Sequence, residues 1–133
     1  HYKIYRMSQN KWIDCFNTKF EEFVKDLILL YPDDKDFKML KNSFNLVKLA
    51  DTKKPYELFQ RYSSDFEEYV IKRDESFFLN HDYSDVVKDE TNFTDELVKK
   101  LKTYWKTLNE DNKKVIWDYL TLFFTLKKKI NTI

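Results

Sequence analysis

Apolar side chains return every third or fourth residue along almost the whole chain, and that spacing predicts helix. From about residue 9 to 31, Trp12, Phe16, Phe20, Phe23, Val24, Leu27, Leu30 and Tyr31 draw one stripe down an amphipathic helix. Pro32 stops it, and Asp33 or Asp34 in the following PDDKD is placed to cap a second helix, 34–50, with Phe37, Leu40, Phe44 and Val47 on its apolar side. Pro55 suits the first turn of a third helix, 55–78, which carries Phe59, Tyr62, Phe66, Tyr69 and Val70. Thr91 or Asn92 can cap a fourth, 92–108, whose stripe is Phe93, Leu97, Leu101, Tyr104, Trp105 and Leu108. A fifth, 111–130, follows NEDNKK, with acids at its start and Lys127, Lys128 and Lys129 at its end, the order the helix dipole favours. The stretch 79–91 lacks a helical period and reads as a loop. No internal repeat or low-complexity linker divides the chain, so the expectation is one all-α domain over 1–133, a bundle of about five helices.

Composition narrows the chemistry. The chain has no glycine, and phosphate-cradling loops, dinucleotide-binding turns and nucleophile elbows all depend on backbone positions that glycine supplies. Cys15 is the only cysteine, which rules out an intramolecular disulfide or a multi-cysteine zinc site and fits a reducing, intracellular compartment. No run approaches the roughly 18 apolar residues of a membrane span, and the N-terminal segment has no apolar stretch of signal-peptide type. Charge is nearly balanced overall but unevenly spread. Residues 1–64 hold 12 basic and 9 acidic residues, 65–96 hold 3 and 11, and 97–133 hold 9 and 3. The acidic middle and basic end are expected to neutralise each other on folding.

Four sets of residues are candidates for function. Asp74, Glu75, His81, Asp82 and Asp85 surround Phe77, Phe78 and Leu79, but a lone internal histidine gives no metal-binding spacing, so the three apolar residues are expected to pin this segment to the core while the acids stay solvated. Arg73 projects onto the apolar side of the third helix. It either extends its aliphatic stem to water or holds Asp74, Asp82 or Asp85 in a structural ion pair. Lys99, Lys102 and Lys106, together with Lys127, Lys128 and Lys129, are the best case for polyanion contact, although arginine is absent from residue 74 onward. On the fifth helix, Trp117, Leu120 and Phe124 widen the apolar arc beyond what Val115, Ile116, Tyr119, Leu122, Phe123, Leu126 and Ile130 already provide. Their i, i+3, i+7 spacing fits a helix-mediated interface, though a central position in the chain's own bundle would also accommodate them.

The segments LYPDDKDFKML, RDESFFL and IWDYLTLFFTL resemble small helical proteins encoded by large DNA viruses of amoebae, of the marseillevirus and mimivirus type, over about residues 16–126. That resemblance implies an intracellular viral product in host cytoplasm or virion and assigns no functional residue. The combined expectation is a non-enzymatic interaction or structural protein without cofactor or metal. Its expected partner is a second copy or another helical protein, met through Trp117, Leu120 and Phe124. Non-specific nucleic-acid association through the lysines is the alternative.

Overall fold

The longest stripe finds its partner in the last one. In the computed structural model, which describes residues 2–80 and 93–132, helix α1 (Tyr2–Leu30) runs antiparallel to α7 (Glu110–Asn131). Phe23 stacks on Tyr119 at 4.7 Å, Phe16 meets Phe123 at 5.5 Å, and the Lys129 ammonium lies 5.0 Å over the Trp12 ring. Helix α2 (Lys35–Ala50) returns along the other side of α1, where Phe20 stacks on Phe44 at 4.9 Å and Lys48 reaches Glu21. Helix α3 (Lys54–Ser63), which holds Pro55 in its first turn, closes the core by placing Tyr56 and Phe59 against Phe16. Helix α6 (Phe93–Tyr104) packs beside α2. The described residues form an all-α bundle.

Local signals fix several of the ends. Asp34 caps α2 by accepting the Asp36 amide at 2.9 Å, and Asn109 caps α7 by accepting the Asn112 amide at 2.8 Å. The first helix starts earlier than its apolar stripe suggests. The fourth stops short at Tyr104, after which Trp105–Thr107 tighten into a 3-10 turn.

The segment expected to be one helix over 55–78 is broken twice. After α3, Ser64–Phe66 form a 3-10 turn. Then α4 (Glu67–Lys72) ends at Arg73, and α5 (Ser76–Asn80) follows. Arg73 is left-handed, with φ 50° and ψ 44°. Its amide donates to the Val70 carbonyl and the Asp74 amide donates to the Tyr69 carbonyl, the pattern of a Schellman stop, which glycine usually occupies. With no glycine in the chain, arginine takes that position. The reversal folds α5 back under α4, so Phe77 contacts Phe66 and Tyr69 while Phe78 stacks on Trp105 at 4.3 Å. Phe77 and Phe78 are buried and Leu79 packs against the core, which is the pinning role the sequence suggested.

Candidate interaction surfaces

The fifth-helix stripe is a correction. Trp117, Leu120 and Phe124 are all buried within the subunit. The reason is the break at residues 64–80, which lays α4 and α5 over the surplus arc of α7. Trp117 meets Trp105 at 5.1 Å and Phe78 at 5.4 Å, and Phe124 meets Phe59 at 5.2 Å and Phe66 at 5.7 Å. Helix α7 is therefore central, with α1 on one side and the folded-back segment on the other. It has no spare apolar stripe for a second chain there.

Arg73 is exposed, as one of its two expected placements has it, and among the described residues its carboxylate partner is Asp118 on α7 at 2.7 Å rather than Asp74, because the helix ends at Lys72 before the predicted core-facing direction is reached. Asp118 is also met by Lys114, and the Arg73 guanidinium, followed by Lys114, holds its carboxyl below the usual range. Asp74 instead accepts the Ser76 amide at 3.0 Å. His81, Asp82 and Asp85 lie outside the described residues, as do Thr91 and Asn92. Glu75 is tied by the Trp105 indole N–H at 2.9 Å and by Lys113 at 3.3 Å, and these donors, the indole first, lower its pKa. Among the described residues, no group of three or more His, Cys, Asp or Glu is arranged to hold a metal ion.

The six lysines do not converge. Lys99 pairs with Asp95, Lys127 pairs with Glu67 at 3.1 Å, and Lys129 sits over Trp12. Lys106 lies in the turn before α7 and Lys128 near the far end of that helix, about 27 Å away along its axis. Lys102 also has a partner on its own molecule. Ion pairs Glu67–Lys127 and Glu75–Lys113 set acids of the middle segment against lysines of the basic end, so the two segments partly neutralise each other as expected, while Arg73–Asp118 crosses between them with the charges reversed.

Apolar surface is exposed elsewhere, at places the sequence reasoning did not single out. On α2, Met39, Leu46 and Leu49 are 63%, 69% and 81% exposed. At about 100° per residue they share an arc with Lys35, Lys38 and Asn42 that faces away from Phe37, Leu40 and Phe44. Asp36, the one acid of α2, lies on the flank and is tied to Lys100 of α6 at 2.6 Å. Asp34 also accepts Lys100 and the Tyr104 hydroxyl. Burial opposes ionisation of its carboxyl, but these donors and the Asp36 amide outweigh that and lower its pKa. The outward side of α2 is thus apolar and cationic.

A second apolar area borders an open groove of about 370 Å³ between the end of α1 and the start of α7. Phe23, Leu27 and Ile116 form its floor, and Leu29, Leu30 and Val115 stand exposed at its rim. Tyr119 donates its hydroxyl to Asp26 at the same place, and burial, then that carboxylate, pushes the phenol well above its ordinary pKa. Asp111 is exposed one turn before Val115.

Among the described residues, no helix is long and apolar enough to cross a membrane. Comparison with protein-family models, with curated proteins and with solved structures finds no match to this chain.

Proposed function

We propose that this chain is a non-enzymatic helical module that acts by binding other protein surfaces, and that its principal contact is the outward side of α2. The observation that carries this reading is the exposure of Met39, Leu46 and Leu49 along one line of a helix that already has a complete core face. Apolar side chains at helical spacing on one exposed face are the form in which a helix seats in a partner's groove. The reading moves the contact surface from the Trp117, Leu120 and Phe124 stripe of α7, which is consumed internally, to α2. It keeps the setting that the resemblance to amoebal-virus proteins implies, an intracellular viral product.

The test is affinity capture from native cells with the wild type and with Leu46→Asp/Leu49→Asp. Both positions are exposed, so the double variant keeps its helical circular dichroism and melting temperature. The expected result is that proteins retained by the wild type are lost with the variant. Equal retention by both would remove α2 as the contact.

A further inference from the structure

We propose that the outward side of α2 docks onto the α1–α7 groove of a second copy of the chain, building a head-to-tail assembly. This rests on α2 being a contact surface and names its occupant. Each of the two areas offers three exposed apolar side chains, Met39, Leu46 and Leu49 on α2 and Leu29, Leu30 and Val115 at the groove. Their charges are opposite. Lys35 and Lys38 flank the first, Asp26 and Asp111 flank the second, and none of these four groups has an oppositely charged side chain within ion-pairing distance among the described residues. Docking would bury the apolar groups and supply both lysines with carboxylates, a complementarity that sets register as well as attraction.

The alternative of α2 against α2 about a twofold axis is less favourable. It would oppose two lysine-bearing faces, and Asp36, the one carboxylate of α2, is already tied to Lys100 on the flank. The two areas also sit on different flanks of α1, since α7 packs on one side of that helix and α2 on the other. A contact between non-equivalent areas leaves one of each unused at the ends of a dimer, so it continues into a chain or closes into a ring. Six apolar side chains cover only part of the roughly 800 Å² per partner of a standard interface, so the association is concentration-dependent and weak. Its charge pairs are exposed, and salt weakens it further.

Analytical ultracentrifugation tests this with three samples. The wild type is expected to show a mass that rises with concentration past twice 16.4 kDa and falls back at high salt. Leu46→Asp, which damages α2, and Leu29→Lys, which damages the groove, should each weaken association by roughly tenfold or more. An equimolar mixture of the two variants should recover a two-copy complex, because each supplies the area the other lacks. No recovery in the mixture while the wild type associates would overturn the head-to-tail pairing. A wild type that stays at 16.4 kDa up to about 1 mM would overturn the second copy as occupant. In that case, loss of captured proteins with the α2 double variant would still uphold α2 as a surface for other proteins, so the two readings fail separately.

Discussion

On α7, the residues beyond the ordinary core face are Trp117, Leu120 and Phe124, and all three are sealed in the subunit. On α2, the corresponding surplus is Met39, Leu46 and Leu49, and all three stand in solvent. In sequence the first set is the more conspicuous, because it contains two aromatics and widens an already apolar helix. Yet it is covered, because the chain turns at Arg73 and sends Phe77 and Phe78 back across that side. Nothing in the described bundle crosses the outer side of α2. Apolar width along a helix sets how much cover is needed; the neighbours decide whether the cover is internal.

Substitutions can break this comparison. Trp117→Ala should cost about 3–5 kcal/mol in urea unfolding, because it opens a void beside Trp105 and Phe78. A loss below about 1 kcal/mol would mean that this side of α7 is not core. Asp34→Ala removes the α2 cap together with the Tyr104 and Lys100 contacts, and a loss of about 2 kcal/mol is expected on the same assay. That result would show that α2 is held from its flank and its first turn, which leaves its outer side free.

Acid should reveal the same ties. The carboxyls of Asp34, Glu75 and Asp118 are all held below their ordinary pKa. The folded state therefore takes up their protons less readily than the unfolded chain. Their contribution is complete above the unfolded carboxylate range and drains away as pH falls below about 5 through the lowered values. A melting temperature that held constant from neutrality to about pH 3 would contradict these pairings. Smaller still is Arg73→Gly, which removes the Asp118 pair but relieves a left-handed position. The two effects oppose each other, so the variant should lie within about 1 kcal/mol of the wild type. Leu49→Asp should change stability by no more than about 0.5 kcal/mol, since the site is largely in water. A large loss there would place the outer side of α2 in the core and erase the contrast with α7.

Much of the fold was legible because it is local. The stripe from Phe16 to Leu27, the cap at Asp34 and the proline in the first turn of α3 each depend on residues within a few positions of one another. The pinning of Phe77 and Phe78 could also be read, since three adjacent apolar residues among acids have few other places to go. The break at Ser64–Phe66 was less readable. The apolar period continues through it, and serine lowers helix preference only modestly. Arg73 could not be read as a helix stop because that position is usually marked by glycine. The α2 surface was missed for a related reason: Met39, Leu46 and Leu49 are spread among lysines and asparagines and never form a run.

The amino-acid order alone determined that this protein is helical, where α2 and α7 begin and end, and which side of the long helices carries the main apolar stripe, because those properties arise from contacts three or four residues apart. Only the tertiary structure decided that Arg73 meets Asp118, that Trp117 and Phe124 lie inside, and that α2 presents apolar side chains to water. Those outcomes depend on which segments lie across which helix faces, and packing between residues far apart in the chain sets that arrangement.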